Sequence, residues 1–291
     1  MTQPIALSYI IATRNKLQYL QQGLAKLIAQ KKDDEEILVA DGASTDGTPE
    51  YLAKLKQQGK IDYFVSEKDY GLAHALNKLV LASQGIFLKY ITDDDAFDYS
   101  VVQTCKQFMV AHPKVDLVNT EGGSLNDPGR MLVHRDPLQI VRALNYAEHY
   151  QQWQKNHAPF YFCDLGVLFR RSSIPIVGFW NQLFPGPDIE FSLRVSAGRV
   201  TIAWFTGYSY VNISNPQSVS VVHKKKTKKL TDRLNKFYFG KNPDLLVTEK
   251  LTILKRKLRN NFFSGTTPAL IPFQHDLGIR LRPEKSSLRL E

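Results

Sequence analysis

With 291 residues, of which 43% are hydrophobic and 11% aromatic, the chain can bury the core of one large α/β domain or two smaller ones. The sequence has no uninterrupted apolar window of about 18 residues, which argues against a spanning helix. The first residues do not resemble a signal peptide, and the two cysteines, Cys105 and Cys163, match neither a disulfide framework nor a zinc pattern. We therefore expect a folded, cytoplasmic protein with reduced thiols.

The positive charge is concentrated in one segment. Thirteen Lys or Arg and three Asp or Glu lie between His223 and Asn260, so this segment has the same balance of +10 as the whole chain. Apolar residues interleave with its second basic cluster, at residues 255–259. A basic amphipathic stretch favours an anionic membrane surface, here the inner face of the cell membrane, and nucleic acid is the less favoured partner. A solvated tail without a partner and pairing of two chains into an oligomer stay open.

Apolar runs alternate with helical patterns over the first hundred residues. Strands are predicted at residues 7–13, 36–40, 63–65 and 86–91, and helices at 16–30, 49–57 and 72–82. Repeated strand–helix units imply a mostly parallel sheet, in which ligands bind beyond the carboxyl ends of the strands. We predict an α/β fold with a mostly parallel central sheet flanked by helices, followed by a basic helical C-terminal extension.

Polar residues follow the carboxyl ends of these predicted strands. Thr13 ends the first strand, Asp41 ends the second, and residues 66–69 follow the third. Because parallel strands end at one edge of a sheet, a single crevice could collect these side chains.

Three consecutive aspartates follow the fourth strand: Asp93, Asp94 and Asp95. Adjacent carboxylates at the end of a core strand repel one another. Holding them there costs free energy unless a cation or several hydrogen-bond donors neutralise their charge. Mn²⁺ or Mg²⁺ carrying a phosphate ligand would do so. The alternative is capping of the next helix, which Asp98 would also favour, but one cap explains only one aspartate. The cluster therefore predicts a site for Mn²⁺ or Mg²⁺.

Four motifs occur in order over this part of the chain. They are Tyr9–Asn15, Val39–Thr48, Ser66–Gly71 and Thr92–Asp95. With these motifs the chain resembles family 2 glycosyltransferases of the GT-A fold, over about 220 residues. The resemblance implies inverting transfer of a sugar from a nucleotide diphosphate sugar, with a UDP-sugar favoured, and a divalent metal that bridges the diphosphate. It also implies a glycan or lipid-linked sugar as the acceptor.

The resemblance assigns roles to the residues at the strand ends. It places Thr13 beside the nucleotide base and makes Asp41 the acceptor of a hydrogen bond from that base. Asp69 and Gly71 open the third helix, whose N-terminal dipole favours phosphate. Turn formation and helix capping are the alternative roles of these side chains.

Within the acidic cluster, the resemblance makes Asp93 the ribose-contacting aspartate and Asp94 a metal ligand. Asp95 is predicted as a second metal ligand, although it would equally suit contact with the ribose. Thr92 occupies the first position of the family's Asp-x-Asp motif, where an aspartate is most common. Because of this difference, the assignment of the metal ligands could shift by one residue along the chain.

The catalytic base is predicted in the second half of the chain. The stretch Asp164–Arg171 resembles the segment before the family's catalytic helix, and Pro187–Arg194 resembles the start of that helix. Pro187 replaces the usual glutamate, but the aspartate that serves as base is present as Asp188. A carboxylate here would take a proton from the acceptor hydroxyl as the hydroxyl attacks the anomeric carbon. The alternative role for Asp188 is that of an N-cap.

We divide the chain into three parts. Residues 1–99 are the nucleotide-sugar-binding half of the GT-A domain, residues 100–222 are its acceptor-binding half, and residues 223–291 are the basic extension. Asn215 stands where the family often has a histidine, which puts a third metal ligand in doubt. Four further side chains would suit stacking on an acceptor sugar, although core packing is favoured for each. They are Arg130, Tyr150, Trp153 and Trp180.

Two other functional classes stay open. A metal-dependent nucleotidyltransferase would share the α/β sheet and the acidic site, but residues 13–16 lack the glycines of a phosphate-gripping loop. A non-enzymatic basic module that binds lipid or nucleic acid would need only the C-terminal segment.

Overall fold

The computed structural model describes residues 4–125, 142–143, 146–184, 186–213 and 224–238. The strands in these ranges are β1 (Leu7–Thr13), β2 (Glu35–Asp41), β3 (Tyr63–Ser66), β4 (Phe87–Ile91), β5 (Ala96–Phe97), β6 (Leu117–Leu125), β7 (Arg142–Ala143), β8 (Leu168–Arg170) and β9 (Ile202–Ile213). The α-helices are α1 (Leu17–Gln30), α2 (Thr48–Gln57), α3 (Leu72–Ala82), α4 (Tyr99–Ala111), α5 (Tyr146–Asn156), α6 (Ile174–Val177), α7 (Pro187–Ala197) and α8 (Lys224–Tyr238). Short 3-10 helices occur at Asp164–Gly166 and Arg171–Ser173.

These strands form one sheet in the order β3-β2-β1-β4-β8-β6-β9-β5, and β7 pairs with β6. The pairs among β1, β2, β3 and β4 are all parallel. In the second half, β8 runs antiparallel to both β4 and β6, and β6 pairs parallel with β9. The predicted α/β class with a helix-flanked sheet is confirmed. Its parallel character is concentrated in the first half of the chain.

Helices cover both faces of the sheet. Alternation along β1 places Tyr9 and Ile11 on one face and Ile10 on the other. The first face packs against leucines of α1 and α2 and against α4, whereas the second packs against α3, α5 and α7. Such a three-layer arrangement leaves the carboxyl ends of the parallel strands at one open edge.

Large aromatic side chains fill the core of the second half. Tyr150, Trp153 and Trp180 are all buried, so core packing is confirmed as their role. The Tyr150 hydroxyl donates to the carbonyl of Ile202 at 2.9 Å, and Trp153 Nε1 donates to the carbonyl of Ser196 at 2.8 Å. Both hydrogen bonds satisfy the polar end of a buried aromatic ring.

The basic extension begins with α8, which packs against α7. Leu234 is buried, whereas the basic side chains that the structure describes in α8 are exposed. The exposed basic residues are Lys228, Lys229, Arg233 and Lys236. The second basic cluster lies outside the described residues, and so do Arg130, Asn215 and His223. No helix in the described ranges is long and apolar enough to cross a membrane.

Candidate active site

The ends of the first three strands meet at one edge of the sheet. The register pairs Thr13 with Asp41 across β1 and β2, and it pairs Asp41 with Ser66 across β2 and β3. Asp41 is fully buried and accepts hydrogen bonds from the Ser66 hydroxyl at 2.6 Å and from the backbone N–H of Ser44 at 3.1 Å. Asp41 thus organises the turn that follows it. Its predicted contact with a base stays a prediction.

Thr13 joins this edge to the acidic cluster. Its hydroxyl donates to Asp93 Oδ2 at 2.8 Å, so the ends of β1 and β4 are held together. All three aspartates of the cluster are buried, with exposed fractions of 5 to 7%. Burial raises the pKa of Asp93 to about 6, even though the ammonium of Lys16 lowers it. Burial, with the charge of Asp94, raises the pKa of Asp95 to about 7.

Lys16 neutralises part of this negative charge. Its ammonium lies 2.7 Å from Asp94 Oδ2 and 3.1 Å from Asp93 Oδ1. Burial alone would lower the pKa of Lys16, but the charges of the two aspartates outweigh that effect and raise it above its usual value. A cation therefore sits between two carboxylates of the cluster.

Asp95 is bound differently. Its Oδ1 accepts from the backbone N–H of Ile213 at 2.7 Å, and Oδ2 accepts from the hydroxyl of Thr92 at 2.6 Å. The amide of Asn212 lies 3.4 Å from Oδ1. Asp95 therefore ties the segment that follows β4 to the end of β9.

Helix capping does not explain the cluster. Asp98 is the N-cap of α4, and its Oδ1 accepts from the backbone N–H groups of Ser100 at 2.9 Å and Val101 at 3.3 Å. The capping role considered for the cluster is thus performed by a residue outside it.

The donor set fits a divalent ion that is shared with a ligand. Within the described residues, no three His, Cys, Asp or Glu side chains are arranged to hold a metal by themselves. Asp93 and Asp94 nevertheless direct carboxylate oxygens at one cation, the Lys16 ammonium. Mg²⁺ and similar ions are commonly held by one or two carboxylates, with substrate phosphates and water as the other ligands. The residues present fit that mode of binding.

Asp69 and Gly71 lie at the start of α3. Asp69 Oδ1 contacts the Lys78 ammonium at 2.7 Å and His74 Nδ1 at 3.0 Å. The N-cap of α3 is Gly71, whose φ of 114° is strained for any residue with a Cβ, and no side chain caps this helix. Asp69 is therefore not a cap. The first turn of α3, which no side chain caps, is suited to bind an anion.

Asp188 lies in the first turn of α7. Gly186 holds the N-cap position and Pro187 is the first helical residue, so the predicted alternative of an Asp188 cap is not what the structure shows. Burial raises the pKa of Asp188, while hydrogen bonds from backbone N–H groups oppose that shift. A carboxylate with a raised pKa is suited to accept a proton near neutral pH.

A second carboxyl group lies beside Asp188. Asp164 is buried and accepts a hydrogen bond from Trp180 Nε1 at 2.9 Å. Burial raises the pKa of Asp164 to about 7, and the charge of Asp188 contributes to the shift. Trp180 stacks on Phe191 of α7 with 5.2 Å between ring centroids, so it fixes Asp164 relative to this helix.

Tyr90 connects the two acidic groups. Burial raises its pKa, and so do the charges of Asp164 and of the 93–95 cluster. Its ring also meets Trp180 edge to face at 6.2 Å. The cluster and the carboxyls near α7 therefore border the same region of the molecule.

The sequence-based prediction omits Lys16 and Asp164 from the site. Lys16 lies three positions beyond the end of β1, which was a usable signal, because loops at this edge face the ligand. Asp164 begins the stretch that resembles the segment before the catalytic helix, but its contacts with Trp180 and Asp188 depend on the tertiary fold.

A parallel half with polar strand ends, joined to a mixed half with buried carboxyls, is the architecture of a GT-A glycosyltransferase domain. Residues 8–175 match the model of the family described as Glycosyl transferase family 2, so the chain belongs to that family. Family membership favours the glycosyltransferase class over the nucleotidyltransferase and the non-enzymatic module.

Two curated relatives are similar over most of this chain. Poly-beta-1,6-N-acetyl-D-glucosamine synthase of Staphylococcus aureus (strain COL) is 20% identical over 193 residues, which are 65% of this chain and 45% of the relative. EpsH of Bacillus subtilis (strain 168), which its name places among glycosyltransferases, is 29% identical over 212 residues, 69% of this chain and 54% of the relative. The chain thus spans about half the length of these relatives.

Solved structures share the fold at low identity. Staphylococcus aureus TarS 1-349 in complex with UDP-GlcNAc has a TM-score of 0.56 at 18% identity, with 89% of this chain and 73% of that chain covered. The mannosyltransferase PcManGT from Pyrobaculum calidifontis, in complex with GDP-Man and Mn²⁺, has a TM-score of 0.55 at 17% identity, with 87% and 69% covered. These likenesses support the GT-A fold.

Proposed function

We propose that the chain transfers a sugar, with inversion, from a nucleotide diphosphate sugar to a hydroxyl of a glycan or lipid-linked acceptor. The observation that carries the proposal is that two acidic groups, the buried cluster after β4 and the Asp164–Asp188 pair, both lie close to Tyr90. One group is suited to the diphosphate and the other to the acceptor. We favour a UDP-sugar because a structural neighbour is complexed with UDP-GlcNAc.

The donor belongs to the half formed by residues 1–99. Thr13 and Asp41 would contact the base, Asp93 the ribose, and Asp69 and Gly71 would border the diphosphate. Asp94 is the metal ligand that we propose first, with Asp95 as the second. When bound, Mn²⁺ or Mg²⁺ would supply positive charge that stabilises the departing diphosphate.

The acceptor belongs to the half formed by residues 100–222, where Asp188 is the proposed base. A proton passes from the acceptor hydroxyl to the Asp188 carboxylate as the hydroxyl oxygen bonds to the anomeric carbon. The bond from that carbon to the diphosphate oxygen breaks on the opposite face, which inverts the configuration. The charge of Asp188 contributes to the raised pKa of Asp164, since like charges close together resist joint ionisation.

We also propose that α8 keeps the enzyme near a lipid-linked acceptor on an anionic membrane surface. The outward-facing basic residues of α8 lie on a helix that packs directly against α7, which carries the proposed base. Anionic lipid attracts such clusters through their summed charge.

Calorimetric titration of UDP, GDP, dTDP and CDP, with and without Mn²⁺, tests the proposal on the wild-type protein. Asp94→Ala is the test variant and Asp98→Ala the matched control, because Asp98 caps α4 nearby without contacting the cluster. We expect one nucleotide to bind with Mn²⁺, binding to be lost in Asp94→Ala, and binding to persist in Asp98→Ala. Absence of binding by all four nucleotides would refute the proposal.

A further inference from the structure

Lys16 occupies the space between two aspartates where a divalent ion is expected. The residue lies between the end of β1 and the start of α1, and 18% of its side chain is exposed. Its ammonium is within 3.1 Å of oxygens from both Asp93 and Asp94. The cluster therefore already contains one positive charge, supplied by the chain itself.

A divalent ion and this ammonium would compete for the same oxygens. An ion coordinated by Asp94 Oδ2 lies about 2.1 Å from it, and the ammonium is already 2.7 Å from that atom. Two cations so close to each other in a buried environment would repel strongly. Asp95 is poorly placed to bind either cation instead, since its oxygens already accept hydrogen bonds from Thr92 and Ile213. The Lys16 contact and metal binding through Asp94 Oδ2 thus exclude one another.

We propose that Lys16 is a resident cation of the acidic cluster, which holds Asp93 and Asp94 in place without metal and yields to a divalent ion when the nucleotide binds. This inference rests on the proposed metal site of the transferase. The released ammonium needs a new anionic partner, and the donor diphosphate supplies one at the same edge. Metal affinity is therefore low without nucleotide, and metal and nucleotide bind cooperatively.

The test measures Mn²⁺ affinity of the full chain without nucleotide, by electron paramagnetic resonance of free Mn²⁺. Lys16→Met and Lys16→Gln both remove the competing charge, and Lys16→Gln keeps a hydrogen-bond donor in case Lys16→Met fails to fold. We expect each folded variant to bind Mn²⁺ about tenfold or more tightly than wild type, a typical size for coupling between two binding events. Adding Asp94→Ala should abolish the gain.

Lys106→Met is the matched control. Lys106 is also a mostly buried lysine paired with two carboxylates, Asp34 and Glu35, but these lie outside the acidic cluster. Its loss should leave Mn²⁺ affinity unchanged. An affinity of the Lys16 variants equal to or below that of wild type would overturn the inference. Titration of wild type with UDP and Mn²⁺ tests the proposed function separately, because it can succeed whether or not Lys16 competes with the metal.

Discussion

The indole N–H of Trp180 donates a 2.9 Å hydrogen bond to Oδ2 of Asp164, and both side chains are buried. The backbone of Trp180 is itself held by the side chain of Asn77, through hydrogen bonds of 2.8 and 3.0 Å. The carboxyl group of Asp164 is therefore fixed in the interior next to α7, where the charge of Asp188 also acts on it. A pH-dependent consequence for stability follows.

Asp164→Asn should flatten the dependence of stability on pH. The folded protein holds a proton on Asp164 up to about pH 7, whereas the unfolded chain releases it near the ordinary pKa of 3.8. Between these values the folded state binds more protons, so the free energy of unfolding falls as pH rises through this window. Urea unfolding at about pH 5 and about pH 8 should show a loss in wild type that exceeds the loss in the variant by roughly 2–4 kcal/mol.

The variant keeps a residual slope of the same sign, because the pKa values of Asp93 and Asp95 are raised as well. Equal slopes for wild type and Asp164→Asn would show that Asp164 is ionised in the folded protein at neutral pH.

Asp188→Asn should abolish transfer while nucleotide binding is preserved. Loss of a general base reduces kcat by roughly 10²–10⁴, and the proposed donor contacts lie in the other half of the domain. The measurement is the turnover rate with the donor identified by calorimetry, together with the Kd of its nucleotide. Asp33→Asn, at an exposed position, serves as the control. A kcat of Asp188→Asn near that of wild type would remove Asp188 from the mechanism.

Asp95→Ala should destabilise the fold more than Asp95→Asn does. Alanine leaves the backbone N–H of Ile213 and the hydroxyl of Thr92 without their acceptor, whereas asparagine retains one acceptor oxygen. An unsatisfied buried donor costs roughly 1–3 kcal/mol, which is the expected difference in unfolding free energy between the two variants. If Asp95 is also a metal ligand, Asp95→Asn will weaken Mn²⁺-dependent nucleotide binding as Asp94→Asn does. Equal stability of the two variants would contradict the role of Asp95 in joining β4 to β9.

Neutralising α8 should release the protein from anionic vesicles. Glutamine at the four exposed basic positions should weaken binding to phosphatidylglycerol vesicles by roughly two to three orders of magnitude, since each Lys or Arg near the surface contributes about 1 kcal/mol. Vesicle flotation measures the bound fraction. The control variant has glutamine at four exposed lysines elsewhere, namely Lys32, Lys54, Lys60 and Lys114. Unchanged flotation of the α8 variant would exclude this helix as the membrane contact.

The strands and helices of the first half can be predicted from the sequence because the patterns that define them are local. The apolar run of β1 and the leucine spacing of α1 predict both elements to within one residue. Parallel strands then bring Thr13, Asp41 and the acidic cluster to one edge of the sheet. Most of the candidate site residues can therefore be found by listing the residues at the ends of the predicted strands. The capping role of Asp98 can likewise be predicted from its position at the start of a helical pattern.

The second half is less readable because its contacts join distant parts of the chain. The hydrogen bond from Ile213 to Asp95 spans 118 positions, and no periodic pattern in the sequence predicts a contact between residues so far apart. Such contacts also occur within the first half, where the ion pair of Lys16 with Asp94 spans 78 positions. Trp180 matches a surface sugar-stacking residue as well as a core residue in sequence, and only the tertiary fold decides between them.

The position of β8 sets an order of events in folding. This strand fills the place between β4 and β6, yet it leaves the ribosome some eighty residues after β4. Until it arrives, one side of β4 has backbone N–H and C=O groups available to any other strand. A fragment that ends near residue 160 would therefore aggregate through β4, and folding of the nascent chain must wait for β8 before its sheet can close.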